Sequence, residues 1–271
     1  MSVSKSIAVF GGNGFLGRKI CEVGVSKGYQ VTSFSRSGEP PQAVIHQPWI
    51  NKVEWERADI FDSSSYASKL GQFGTVVHSI GLMFEDQSYK KAMNSNFNFL
   101  NDVQSLANSI RGSNPMKKGE DDHETYEAIQ RDSAVLLADT FVEHQKENPT
   151  FVYISADQQV PLIPERYLTT KREAEFELSC KQGLRAILFR PGVMYEQTHP
   201  EDNGLTTRDI LTTFLKFNYN AKQCILGENI PFVNKLVRPI VSTDQVATYI
   251  YDKIEIPEFK GIVPLDEIYK H

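Results

Sequence analysis

Cysteine is scarce in this 271-residue chain: Cys21, Cys180 and Cys224 are the only three. They are too few and too scattered for a disulfide framework or a metal knuckle, so a reducing compartment is expected. His46, His123, His144 and His199 show no ligand spacing, so no metal site is expected. A basic excess is also missing. The net charge of -5 argues against a protein that follows a phosphate backbone, and no nucleic-acid partner is expected. Apolar runs stay far below the roughly 18 residues of a membrane span. Only Met1 to Ser6 precede the first apolar run, too few for a signal peptide or an Arg-rich transit helix, and composition alone reads as cytosolic. Internal repeats are absent.

What is present is an alternation of short apolar runs with longer segments of helical period. "SIAVFGG" reads as a buried strand. "FLGRKICEVGVSKG" reads as a helix with Leu16, Ile20 and Val23 on one face, closed by Gly28. "YQVTSFSRSG", "VEWERADI" and "GTVVHSIG" read as strands two to four. A helix is expected over 125–145, then the strand "TFVYISAD", a helix through "ERYLTTKREAEFELSC" and a sixth strand in "LRAILFRPG". Continuous apolar strands separated by crossover helices predict an α/β fold with a doubly wound, Rossmann-like parallel sheet. Residues 85–124 read as a surface excursion, with a substrate lid as the alternative; Leu100, Val103, Leu106 and Ile110 recur there at helical spacing. The whole of 1–271 is expected to be one domain. Its part from about 193 to 271 is expected to form a small substrate-side extension, with a helix near 208–217 and a strand-helix unit in "VRPIVSTDQVATYIYDKI".

The opening strand runs into Gly11, Gly12, Asn13, Gly14, Phe15, Leu16 and Gly17. Gly12, Gly14 and Gly17 satisfy G-x-G-x-x-G, and Gly11, Gly14 and Gly17 satisfy the three-and-three spacing of short-chain dehydrogenases. Such a loop needs a tight turn, close approach of backbone to a pyrophosphate, and close packing of helix on strand. At the junction of strand and helix, the motif predicts a dinucleotide cofactor. NAD-selective folds usually place an acid about 20 residues later; here stand Ser35, Arg36 and Ser37. Arg36 can pair with a 2′-phosphate and the two hydroxyls can add hydrogen bonds, which predicts NADP(H), with NAD(H) as the alternative. Glu39 is the nearby acid that can reverse the preference. Asp59, followed by Ile60, can receive the adenine amino group or hold a turn.

"YLTTK" places Tyr167 and Lys171 four residues apart, on one helix face. "YIYDK", Tyr249 to Lys253, matches the same spacing but lacks a preceding cofactor strand. Ser155 closes "FVYIS", the strand before Tyr167. In short-chain dehydrogenases such a tyrosine exchanges a proton during hydride transfer, the lysine holds the nicotinamide ribose and lowers the phenol's pKa, and the serine polarises the carbonyl. His78 reads as a packed residue, with an approach to the cofactor as the alternative. Phe214, Phe217, Tyr219 and Phe232 read as core, with a groove for a polyprenyl tail as the alternative.

Together, "VFGGNGFLG", "SFSRSG", "WERADIF", "VVHSIG", "VLLADTF", "YISAD", "PLIPERYLTTKREAE", "RPGVMY" and "RPIVSTDQV" resemble the atypical short-chain dehydrogenase/reductase family, in its fungal ubiquinone-biosynthesis branch. There is a more distant likeness to the nucleotide-binding accessory subunit of respiratory complex I. The resemblance covers nearly the whole chain. It implies a catalytic set of Ser155, Tyr167 and Lys171, with Ser79, Ile80 and Gly81 at the cofactor and Pro191, Gly192 and Val193 lining the nicotinamide. It also implies a mitochondrial protein, peripheral to the matrix side of the inner membrane, associated with the coenzyme Q biosynthetic complex and with a lipophilic quinone-related substrate. That expectation replaces the cytosolic one. The alternative within the same resemblance is a non-catalytic nucleotide-binding subunit that stabilises or regulates the complex. Two positions depart from the family pattern: Gln130, Arg131 and Asp132 stand where an asparagine is common, and Glu196 where a glycine is common.

Overall fold

The structure is a computed structural model that describes residues 5–81, 125–145, 149–158, 164–196 and 238–271. The expected excursion 85–124, the helix near 208–217, Cys224 and the four aromatics from Phe214 to Phe232 lie outside the described residues.

A seven-stranded parallel sheet forms the centre, in the order β3-β2-β1-β4-β5-β6-β9. Its strands are β1 (Ser6–Phe10), β2 (Gln30–Ser35), β3 (Val53–Arg57), β4 (Thr75–His78), β5 (Thr150–Ile154), β6 (Arg185–Phe189) and β9 (Gly261–Val263). A two-stranded ribbon pairs β7 (Met194–Tyr195) with β8 (Val241–Ser242). The order reverses between β1 and β4, and this switch point is where a doubly wound sheet opens a crevice for ligands. Side chains alternate across the sheet, so each strand feeds two cores. Ile7 and Val9 of β1 join a cluster with Ile20, Val152, Ile187, Ile250 and Tyr251, while Ala8 and Phe10 join Phe34, Tyr66, Leu137, Phe141, Phe151 and Leu178 on the other face. Both faces of the sheet are therefore covered, as the continuous apolar strands require.

The helices α1 (Phe15–Ser26), α5 (Thr243–Ile254) and α6 (Leu265–Lys270) cover the first face. On the second lie α2 (Ala67–Leu70), α3 (Ser133–Glu143) and α4 (Glu165–Cys180). The two helices α1 and α5 approach closely because Gly24 has no side chain: a Cβ there would lie 2.1 Å from the Tyr251 hydroxyl, which instead donates to the Ile20 carbonyl at 2.9 Å. A reciprocal capping box starts α5, with the Ser242 hydroxyl accepting from Gln245 N–H and the Gln245 side chain accepting from Ser242 N–H.

Two readings need correction, and one strand has no counterpart in the expectations. The helix expected over 125–145 opens with a π-helical stretch, Glu127–Asp132, before α3; apolar spacing does not distinguish a wider first turn. Much of the expected extension belongs to the main body: β9 is the seventh strand of the sheet, and α5 and α6 carry core residues. β9 was missed because it has only three residues, and its Ile262 is 45% exposed.

Candidate functional site

The loop between β1 and α1 is shaped by what its glycines leave out. Gly11 sits at φ +91°, which disfavours any side chain, and its N–H donates to Phe34 O while its carbonyl accepts from Gly14 N–H at 2.9 Å. A Cβ on Gly17 would lie 2.1 Å from the Gly11 carbonyl oxygen, so α1 can seat on this turn only with glycine there. Gly14, the N-cap of α1, is exposed, and the first turn of α1 carries no acid. A helix that starts at an exposed glycine, with no acid in its first turn, is suited to an anion. Phe15 and Leu16 form the first helical positions, Leu16 buried in the core. Gly12 and Gly17 serve packing, and Gly11 makes the turn.

Asn13 ties this loop to the end of β2. Its Nδ2 donates to Glu39 O at 2.6 Å and to Ser37 Oγ at 3.3 Å, while its Oδ1 is buried without a hydrogen-bond partner among the described residues. Ser35 Oγ accepts from Gly38 N–H at 3.1 Å. Arg36 is exposed and makes no ion pair among the described residues. The Asp59 carboxylate accepts from Phe61 N–H at 3.0 Å and holds a turn, with Ile60 buried beside it. Across the switch point, Ser79 N–H donates to Phe10 O, and Ser79 and Ile80 lie within about 3 Å of where a Gly11 Cβ would stand. Gly81 is exposed at the end of that segment.

On the other side of the crevice, β5 delivers Ser155 and α4 delivers Tyr167 and Lys171. Lys171 Nζ is buried, donates to Ile154 O at 2.7 Å, and lies 5.1 Å and 5.6 Å from the ring centroids of Tyr153 and Tyr167. Burial pulls its pKa down to about 7; Glu175 opposes the shift and Arg172 adds to it. Tyr167 packs edge-on against Tyr126. The three expected catalytic residues are thus brought to one region, but Ser155 is only 3% exposed and its hydroxyl accepts from Arg172 at 3.1 Å.

That arginine belongs to a network the sequence reading did not contain. Arg172 also donates to Ala156 O, Asp157 O and Glu175, and Glu175 is shared with Arg190. Asp157 in turn receives a two-pronged pair from Arg238 at 2.8 Å and 3.0 Å. Only Arg172 and Glu175, three apart on α4, left a local signal. Pro191 and Val193 offer carbonyls to Asp157 N–H and Val241 N–H, and a Cβ on Gly192 would meet Leu265 at 2.9 Å. His78 is a packed residue. The Ser133 hydroxyl donates to Ile129 O, so it accepts from His78 Nε2, and burial pushes the ring's pKa down to about 3. Gln130 lies in the π-helical stretch, and its carbonyl accepts from the Tyr153 hydroxyl at 2.7 Å. Tyr249 and Lys253 both engage Glu267 at the surface.

The fold and this loop define a dinucleotide-fold protein of the short-chain dehydrogenase type. Residues 7–159, more than half the chain, match the NAD dependent epimerase/dehydratase family, and the chain belongs to that family. It is similar to MIOREX complex component 2 of Saccharomyces cerevisiae, 40% identical over 277 residues that span 97% of this chain and 98% of that one. An uncharacterized chloroplastic protein of Arabidopsis thaliana is 26% identical over 98% of this chain and 76% of its own. Among solved structures, UDP-N-acetylglucosamine 4-epimerase from Bacillus cereus aligns with a TM-score of 0.53 at 17% identity, covering 96% of this chain and 78% of that one. The Bordetella bronchiseptica enzyme WbmF in complex with NAD+ and UDP aligns with a TM-score of 0.56 at 17% identity, covering 97% and 72%. At such identities these two show the fold.

Proposed function

We propose that the chain is an NADP(H)-binding oxidoreductase of the short-chain dehydrogenase type that acts on a quinone-related lipophilic carbonyl. The observation that carries the reading is the glycine turn: a Gly17 Cβ would strike the Gly11 carbonyl, and the acid-free start of α1 faces outward beside it. The residues present fit a dinucleotide. Backbone from Gly11 to Gly17 would hold the pyrophosphate, Ser35, Arg36 and Ser37 a 2′-phosphate, and Asn13 Oδ1, a buried acceptor in want of a donor, a hydroxyl or amine of the nucleotide. Bound there, the nicotinamide supplies or accepts a hydride. Tyr167 then gives or takes a proton at the substrate oxygen, Lys171 orients the ribose, and Ser155 polarises the carbonyl. With its pKa near 7, Lys171 is partly neutral at physiological pH, which makes this set pH-sensitive.

The name of the yeast relative says that protein is a complex component. Together with the resemblance to ubiquinone-biosynthesis proteins, this supports placing the chain in a mitochondrial protein assembly, peripheral to the matrix face of the inner membrane, where the coenzyme Q biosynthetic proteins would be its partners. A second reading, a non-catalytic nucleotide-binding subunit of that assembly, is favoured by one observation: the Ser155 hydroxyl is buried and held by Arg172.

Titration with NADPH and NADH, followed by nicotinamide fluorescence, tests the cofactor. NADPH is expected to bind more tightly, and Arg36→Ala to erase the difference; equal affinities in the wild type, or binding of neither, overturn it. Tyr167→Phe separates the two readings, because an enzyme loses quinone production and a structural subunit keeps it.

A further inference from the structure

Arg18 is the fourth residue of α1 and lies one turn beyond the N-cap Gly14, on the same helix face. Its guanidinium lies 5.8 Å from the ring centroid of Phe15, at the start of the helix. One of its terminal nitrogens, Nη2, donates to the Glu196 carboxylate. The neighbouring donor, Nε, is buried with no hydrogen-bond partner among the described residues. Glu196 arrives from 178 positions away, directly after β7 and a few residues past Pro191, Gly192 and Val193. The two side chains are partly exposed, at 19% and 28%. A carboxylate from the nicotinamide side of the crevice therefore rests on a cation from the phosphate side.

We propose that Glu196 competes with the dinucleotide's pyrophosphate for Arg18 and thereby sets nucleotide affinity; this rests on the nucleotide-binding reading above. Guanidinium recognises carboxylate and phosphate through the same planar fork, whose tines here are Nε and Nη2. Glu196 occupies one tine and leaves the other unused. A phosphate can take both, while the carboxylate it displaces returns to water at a partly exposed position. The competition lowers affinity twice over, through the pair that must open and through the negative charge left beside an anion site. The helix start itself carries no acid; Glu196 is the carboxylate that Arg18 meets among the described residues, while Asp244 pairs with Lys19 one position on.

The test is a double-mutant cycle on the full chain, reading dissociation constants for NADPH and NADH by fluorescence at low and high salt. Glu196→Gln keeps the shape and removes the charge. It is expected to tighten both nucleotides roughly three- to tenfold at low salt, and less at high salt, because the pair is partly exposed to screening. Arg18→Gln is expected to weaken binding, and in that background the gain from Glu196→Gln is expected to fall by at least half. Glu196→Asp, which keeps the charge and withdraws it by one methylene, is expected to give an intermediate gain and carries the test should the glutamine variant fold poorly. Wild-type binding that Glu196→Gln leaves unchanged, or an equal gain with and without Arg18, overturns the competition while the nucleotide reading stands. Binding of neither nucleotide by any variant overturns both.

Discussion

Around β1, β2 and α1 the chain makes its half of the crevice by omission, whereas around β5, β6 and α4 it fills the corresponding ground with paired charges. In the first half, Gly11 turns the chain, Gly12 would place a Cβ 2.1 Å from Ser33 Oγ, and Gly17 would place one 2.1 Å from a backbone oxygen. In the second, Glu175 is buried between Arg172 and Arg190, and Asp157 is clasped by Arg238. Omission lets the turn and α1 close on one another, while pairing satisfies charged groups internally. The first half is thus shaped by backbone, and the second by side chains, with Ser155 drawn into its network.

The difference can be broken most severely at Gly17. Gly17→Ala sets a methyl against the Gly11 carbonyl, a backbone atom that cannot rotate away, and should cost roughly 3 kcal/mol of stability together with nucleotide binding. Gly12→Ala faces a side chain, Ser33 Oγ, that can give way in part, and should cost visibly less. Denaturant unfolding of the two variants checks the order; equal costs would show that crowding against backbone does not control this half.

On the charged half the corresponding cut is Glu175→Gln. Neutralising a carboxylate shared by two guanidiniums leaves Arg172 and Arg190 facing each other, and the loss should be about 2 kcal/mol, below a fully buried pair because both arginines are partly exposed. Arg172 would also lose the partner that holds it against Ser155. A loss within experimental error would mean that the network is surface decoration.

This contrast also decides how much could be read from the chain. A glycine demanded by a close approach leaves its mark at the position itself, so the turn from Gly11 to Gly17, the strand that precedes it and the helix that follows are all visible in one short stretch. Alternation and helical period likewise expose six strands of the sheet. The charged half offers little beyond the Arg172 to Glu175 spacing on α4. Arg238 reaches Asp157 across 81 positions, and on the glycine side Arg18 of α1 reaches Glu196 across 178; Glu196 stands out only as a departure from the family pattern, and neither pairing is marked in sequence until the fold exists. Tyr167 and Lys171 were visible because a helix turn brings them together; that Lys171 would be buried with its nitrogen on the Ile154 carbonyl was not, since burial is a property of the packed layers.

The last test follows from that burial. With its pKa near 10.5 when unfolded and about 7 when folded, Lys171 binds more protons in the unfolded chain between those values. Raising pH through this window therefore stabilises the fold, and the contribution is lost as pH falls toward 7. The slope can reach one proton, about 1.4 kcal/mol per pH unit. The Cys21 thiol, pushed by burial from 9 to about 12, works in the opposite direction from about pH 9 upward, and Tyr29 and Tyr66, whose phenols burial also pushes up to about 12, do so above their ordinary value of 10. Between pH 7.5 and 8.5, below the thiol's ordinary value, the lysine is thus the buried group whose folded and unfolded charges differ most. Lys171→Met should flatten the rise of unfolding free energy with pH across that interval, leaving the glycine half and its Gly17→Ala cost unchanged. An unaltered slope would mean that the ammonium keeps its charge in the fold, and the charged half would then extend to Lys171 as well.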